Sequence, residues 1–426
     1  MLGSLQQAFK AGDLKNKVLF TLLMFAVFRL GVHIPVPGIN PDAMSELLKN
    51  QFLGFFDVIS GGAFKNFSVF AMSITPYINS SIIMQLLTVI VPKLEQLKKE
   101  GEEGRKKIAQ YTRYGTVVLG FVQAIGISIA LSRYSGAGSQ VVVENPGIIS
   151  YLFIAIILTA GTALLMWIGE LITEKGIGNG ISLIIFAGIV ARIPSGIGSV
   201  FEYLRAGTAN YFNVLLFIVI ALVMIAAVVA LNEGQRRLPV QYAKRVVGRK
   251  VYGGQSTFLP LKVNTAGVIP IIFAMSIMML PGTIGPWIQN ATINNFLNNY
   301  FHFGSVLYNS LYVLLIVFFT YFYTAVVFNP VDVADNIKKY GGFVPGIRPG
   351  RPTAEYINRV LSRLTLAGGV FYAFVAIMPN FVIALTGLTS IWFGGTALLI
   401  VVGVALDTMK QIEAHLLLRS YEGFVK

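Results

Sequence analysis

Long apolar runs alternate with short polar loops along the whole chain, and lysine and arginine crowd into every second loop. The runs predict membrane-crossing helices at about 17–36, 74–91, 114–134, 148–173, 180–199, 213–231, 266–284, 306–328, 361–378 and 389–407, each near the ~20 residues that cross a hydrocarbon core. The basic residues gather in the stretch ending at Lys17, in Lys93–Arg113, in Arg236–Lys262, in Lys338–Arg363 and in the tail from Lys410. Basic loops stay on the cytoplasmic side, so these five set the orientation and put both termini inside. The outer loops keep few basic residues: Lys49, Lys65, Arg133, Arg192 and Arg205. Ten spans split five and five bring the second set into the membrane from the opposite side, because five is odd. Two halves of inverted topology, 1–205 and 206–426, are therefore allowed.

The stretch from Phe52 to Val91 cannot be one helix, since its roughly 40 residues would reach about 60 Å, twice the hydrocarbon thickness. Gly61 and Gly62, followed by Lys65 and Asn66, interrupt it and leave Phe55 to Ser68 too short and too polar to span. Two placements stay open on the residues alone: an amphipathic helix on the outer surface, or a re-entrant segment lining a cavity. The following span is polar for a lipid-facing helix, with Pro76, Asn79, Ser80, Ser81, Gln85 and Thr88. Two further spans are weak. Arg192 and Pro194 cut short the one from Gly180, and Pro270 and Pro281 bracket the seventh. Spans that line an aqueous path need less lipid contact, so these three mark where a pore is expected.

Composition supports this: 55% hydrophobic and 12% charged residues are too apolar for a soluble domain of 426 residues. The net charge of +14 first suggests nucleic acid, but its segregation by topology makes most of it a positive-inside bias. The absence of cysteine excludes disulfides, thiolate metal sites and a cysteine nucleophile. His33, His302 and His415 are too scattered to suggest a metal cluster. The first apolar run ends in His33-Ile34-Pro35-Val36-Pro37 without a small-residue cleavage pattern, so it reads as a retained span. The spans carry almost no ionisable groups beyond Arg29, which reads as a snorkelling side chain, with Glu170 and Asp407 near the cytoplasmic ends. No cofactor and no catalytic constellation are expected. Gly176-Ile177-Gly178-Asn179-Gly180 lacks the lysine of a nucleotide loop and reads as a tight turn.

Two cytoplasmic loops, 232–265 and 329–360, exceed what a connection needs. The first carries Arg236, Arg237, Lys244, Arg245, Arg249 and Lys250, and its Val251-Tyr252 and Phe258, Leu259, Leu261 runs suggest a hairpin. The second carries Lys338, Lys339, the turn Phe343-Val344-Pro345-Gly346-Ile347-Arg348-Pro349-Gly350, and Arg351. Each reads as a basic finger, either anchoring topology against anionic lipids or docking an acidic protein or phosphate-bearing RNA.

At these residues the chain resembles the bacterial SecY family, the central subunit of the protein-export channel. The resemblance rests on Gly101-Glu102-Glu103-Gly104-Arg105-Lys106-Lys107 with Gln110 to Tyr114, on Gly176 to Ile189, Asn232 to Arg245, Leu261 to Phe273, Phe343 to Gly350 and Gly394 to Ile400, in family order. It covers essentially the whole chain. What it implies is an all-α integral membrane protein, with ten transmembrane helices in two inverted five-helix halves around an hourglass pore. The function implied is a non-enzymatic, protein-conducting channel in the bacterial cytoplasmic membrane that passes unfolded polypeptides and releases apolar segments sideways. A pore ring would fall on Ile78, Ile82, Ile181, Ile185, Ile272 and Ile400. A short re-entrant plug helix at about 55–68 would include Phe55, Phe56, Ile59, Gly61, Gly62 and Phe64. A lateral gate would expose Gln85, Thr88 and Gln123 along the seam between halves. Ile78 and Ile82, like Ile181 and Ile185, are four apart and so share a helical face. The implied partners are SecE and SecG subunits, the SecA motor and the ribosome with its rRNA, docking on the basic loops, besides signal peptides, nascent chains and membrane lipids. The rival reading is an ion-coupled secondary transporter with five-plus-five inverted repeats, against which the scarcity of midplane carboxylates weighs.

Overall fold

The computed structural model describes residues 12–40, 43–44, 57, 60–133, 142–207, 210–242, 245–247, 250–252, 256–284, 296–297, 300–301, 305–386 and 395–425. Thirteen helices order it: α1 (Gly12–Val32), α2 (Thr75–Ile90), α3 (Pro92–Lys99), α4 (Glu102–Arg133), α5 (Ile148–Lys175), α6 (Gly180–Val190), α7 (Ile193–Arg205), α8 (Tyr211–Glu233), α9 (Ile269–Ile284), α10 (Val306–Val327), α11 (Pro330–Lys339), α12 (Arg351–Thr386) and α13 (Gly395–Val425). Among the described residues, each of the ten expected spans overlaps a helix, and seven stretches are long and apolar enough to cross a membrane alone. The pair α2 and α3, bent by 98° at Pro92, makes an eighth. The short α9 and the charge-interrupted α1 fall on the other two expected spans.

Helix and span ends differ where helicity outlasts apolarity. The expected third span starts near residue 114, yet α4 begins at Glu102, because acidic residues in a first turn suit the helix dipole and polar side chains extend a helix into water freely. Likewise α12 starts at Arg351, ten residues before the apolar stretch, and α13 runs on to Val425. The fifth span breaks at Ala191-Arg192 into α6 and α7, as Pro194 in the first turn of α7 begins a new helix.

Within the first half, α4 packs on α2 and α5, and within the second, α10 packs on α9 and α12. The two sets meet along two seams, α9 against α2 and α4, and α13 against α6. Leu14, Ile177 and Ile412 add a separate buried cluster that ties α1 and the loop before α6 to the last helix.

The basic loops are not two separate fingers. Five strands, β1 (Gln235–Tyr242), β2 (Arg245–Val247), β3 (Lys250–Tyr252), β4 (Ser256–Lys262) and β5 (Gly342–Phe343), form a three-stranded sheet in the order β4-β1-β5 and a small β2-β3 hairpin. The expected pairing of Val251-Tyr252 with Phe258-Leu261 is replaced by two nested pairings. Tyr252 faces Arg245, and the 256–262 strand faces 235–241, from Gln235↔Lys262 to Gln241↔Ser256. The second loop joins through Gln241↔Phe343. The reason is burial: Leu238, Val240 and Leu261 alternate onto one face and pack against Ile337 of α11 and Ile357 of α12.

Asp57 is helical, and the described residues that follow it form a chain of turns from Ser60 to Ile74, with Gly61 and Gly62 at φ of 68° and 92°. Phe55, Phe56 and Ile59 lie outside the described residues. The segment is interior and not interfacial: Ser60, Ala63, Phe64, Phe67, Ser68, Phe70 and Ile74 are all buried. Its backbone is satisfied locally, by Val36 N–H to Phe67 O at 3.0 Å, Val69 N–H to Ile34 O at 3.0 Å and Ser68 N–H to Ala63 O at 2.9 Å, as buried irregular chain requires.

Candidate functional site

Three features lie where the two sets of helices meet: a buried core cluster rich in isoleucine, a buried segment before α2, and a small pocket with a few polar walls. Ile78 and Ile82 on α2, Ile185 on α6, Ile272 on α9 and Ile400 on α13 all belong to one buried core cluster, each no more than 5% exposed. Four helices from both halves thus contribute branched side chains to one continuous buried cluster. Ile181 is half-buried against the same cluster, and its Cδ1 lies 2.5 Å from where a Cβ on Gly169 of α5 would stand, so it leans toward the fourth span. Neighbours that sequence reasoning missed share the cluster: Ile74, Leu183, Ile184, Met275, Met278 and Met279. Their apolar character was visible, but any apolar residue of a membrane helix shows it.

The local sequence explains how α6 is aimed. Asn179 caps it, its side chain accepting from Ser182 N–H at 3.2 Å, and Gly180 N–H donates to Thr173 Oγ1 at 2.9 Å. Gly180 is needed because a Cβ there would sit 1.9 Å from the Gly169 carbonyl oxygen. The tight turn expected at 176–180 is therefore a hinge that folds α6 back onto α5.

The buried segment is held by charges whose pairing the sequence reading did not anticipate. Arg29 does not snorkel; its Nη1 donates to the Gly61 carbonyl at 2.8 Å. Asp57, with a side chain 4% exposed, pairs with Arg192, and its Oδ1 accepts from Lys65 N–H at 2.6 Å. The available signal was a lone aspartate in an apolar stretch alongside a lone arginine in a weak span. Phe64 of this segment helps line a cavity of about 20 Å³, with Asn79, Gln123 and Ser276 among its other walls.

The expected gate residues behave differently from one another. Thr88 is buried and donates to the Gln85 carbonyl at 2.7 Å, and Gln85 Nε2 donates to Ser81 Oγ at 3.5 Å, so both bond along their own helix and not across the seam. Gln85 Oε1 and Ser276 Oγ are buried without a partner. Gln123, Asn79 and Ser276 are the polar groups that meet where α2, α4 and α9 adjoin. Ser80 Oγ donates to the Thr112 carbonyl at 2.8 Å and fastens α2 to α4 within its half.

At the basic end, Arg236 and Arg237 are exposed on β1, and Lys338 and Lys339 on α11. Arg348 is exposed on a turn closed by Ile347 N–H to Val344 O at 3.0 Å, with Gly346 at φ 81°. Thr353 Oγ1 donates to the Arg348 carbonyl at 2.8 Å and ties that turn to α12. Arg351 is exposed beside Glu355 at 3.3 Å. Arg245 and Lys250 lie on the β2-β3 hairpin, while Lys244 and Arg249 fall outside the described residues.

The SecY family model matches residues 68–409. The protein translocase subunit SecY of Halalkalibacterium halodurans is 50% identical over 434 residues, covering 100% of both chains. That of Escherichia coli strain K12 is 48% identical over 421 residues, covering 97% of this chain and 94% of the other. A solved structure described as "The structure of a protein conducting channel" superposes with a TM-score of 0.67 at 18% identity, over 94% of this chain and 92% of that one. Sec61 in the canine ribosome-channel complex from the endoplasmic reticulum gives 0.62 at 17% identity, with the same coverage. The structural likeness carries the fold, and the long, high-identity sequence matches carry the kinship: this chain belongs to the SecY family.

Proposed function

We propose that this chain is the channel-forming subunit of a protein translocase, which passes unfolded polypeptides across the bacterial cytoplasmic membrane and releases apolar segments sideways into lipid. The observation that supports the reading is that Ile78, Ile82, Ile185, Ile272 and Ile400, from four helices of both halves, all belong to one buried core cluster. A channel for unfolded chains must admit every side chain, so a site specific for any one would hold its cargo. Branched apolar side chains bind nothing strongly, part around a moving chain, and close to a constriction that ions cross only by shedding water. Residues 1–205 and 206–426 act as the two inverted halves, with Ile181 completing the ring and Gly61, Gly62 and Phe64 plugging it. The seam of α2 and α4 against α9 is the lateral gate, where Gln85, Thr88 and Gln123 make the closed seam costly to expose to lipid.

No nucleotide loop is apparent in the sequence, so the work comes from partners. The exposed cations from Arg236 to Arg351 and their joined sheet form one platform that fits the acidic surfaces of a SecA-like motor and the phosphates of rRNA. Small subunits like SecE and SecG complete the complex, and both termini lie in the cytoplasm with the basic loops. The transporter reading is set aside. Asp57 is the one buried carboxylate among the described residues, and it is already paired with Arg192. In vesicles with the motor, a polypeptide arrested in transit is expected to crosslink to probes at both Ile82 and Ile400; crosslinking at neither would sink the reading.

A further inference from the structure

We propose that the Asp57–Arg192 ion pair, helped by the Arg29 to Gly61 hydrogen bond, latches the buried segment in its seat and so sets how strong a signal must be to open the channel. The inference rests on the translocase reading above. Two cations from different spans reach one segment. Arg192 stands at the break between α6 and α7, and Arg29 near the end of α1. They meet it at Asp57 and at the carbonyl four residues on. The seat is also shaped to the backbone, since a Cβ on Gly61 would lie 2.7 Å from Gly188 Cα on α6.

Electrostatics makes this contact different from the apolar packing around it. The Asp57 side chain is 4% exposed and that of Arg192 33% exposed, so the pair lies at the margin of the interior, where attraction is strong, and among the described residues Arg192 is the one cation that forms an ion pair with this carboxylate. Removing the arginine leaves a buried, unpaired charge, and the segment relieves it by moving Asp57 to water. Water admitted by an arriving polypeptide screens the same pair and weakens it. The latch therefore holds the idle channel and yields once the interior is wetted, which apolar packing alone does not do.

The test uses the full complex in proteoliposomes, reading ion leak per channel and transport of precursors with intact or weakened signals. Arg192→Ala is expected to raise leak and weak-signal transport by about tenfold, with intact-signal transport retained. Arg192→Lys, which keeps the charge, is expected to stay near wild type. The double variant Asp57→Asn with Arg192→Ala is expected to leak less than Arg192→Ala alone, because no charge is left stranded. Wild-type leak and stringency in Arg192→Ala, or a double variant that leaks as much as Arg192→Ala alone, would overturn the latch while leaving the channel reading intact. Failure of the unmodified chain to pass any polypeptide would overturn that reading itself.

Discussion

The proposed seal rests on single buried side chains. Ile82 of α2 is 4% exposed and Ile272 of α9 5% exposed, and the two helices pack on each other. An amide at either position would bring hydrogen-bonding groups into a waist that excludes water by offering none. Ile82→Asn or Ile272→Asn is expected to raise ion conductance about tenfold and to admit weakly apolar signals, as burying an unsatisfied amide costs ~1–3 kcal/mol. Planar-bilayer conductance and precursor transport check this; unchanged values would remove that residue from the seal. The spacing of Ile78 from Ile82 was legible in the sequence as a shared helical face. Which of many isoleucines face one another was not, because a membrane helix is apolar on every side and its hydrophobic pattern no longer marks the interior. Ile181 illustrates the point, since helical spacing groups it with Ile185 but its tip rests over Gly169.

Among the elements, the sheet that joins the two large loops has the clearest consequence. Strand β1 takes β4 on one side and β5 on the other, so the arginines of the first loop and the Arg348 turn of the second sit on one body. Arg348 is held by a turn that loses little entropy on binding, which suits a planar guanidinium meeting a carboxylate. Arg348→Glu is expected to abolish motor-driven transport while the protein still assembles in the membrane at normal abundance. Motor ATPase activity on the proteoliposomes and membrane extraction separate the two effects. A hairpin was readable from the first loop's alternating residues, but its pairing was misread. A run of seven or eight residues has several plausible partners, and the choice among them was made by Ile337 and Ile357, which lie far along the chain.

At the scale of the whole molecule, the seam of α2 and α4 with α9 is the proposed gate between the halves. Gln123 of α4 and Ser276 of α9 line the same small cavity from opposite halves, and the natural chain has no cysteine. Gln123→Cys combined with Ser276→Cys, bridged by a short thiol crosslinker, is expected to stop insertion of apolar segments and to restore it when the bridge is cleaved. Insertion that proceeds unchanged through the bridged protein would place the exit elsewhere. The bend of 98° between α2 and α3 lets α2 pack on both α4 and α9, so the seam is built from a helix that also carries two of the clustered isoleucines.

The amino-acid sequence determined the spans, their orientation, the polar second span and the broken stretch before it, because transfer of apolar residues into lipid and the retention of basic loops act on local composition. The tertiary structure alone decided that this stretch is buried and turn-rich, that Arg29 and Arg192 hold it, and that the basic loops share a sheet. The physical reason is the same in each case. A buried carboxylate, a free carbonyl or an unpaired strand must find a partner somewhere, but nothing near it in sequence says which distant residue will supply it.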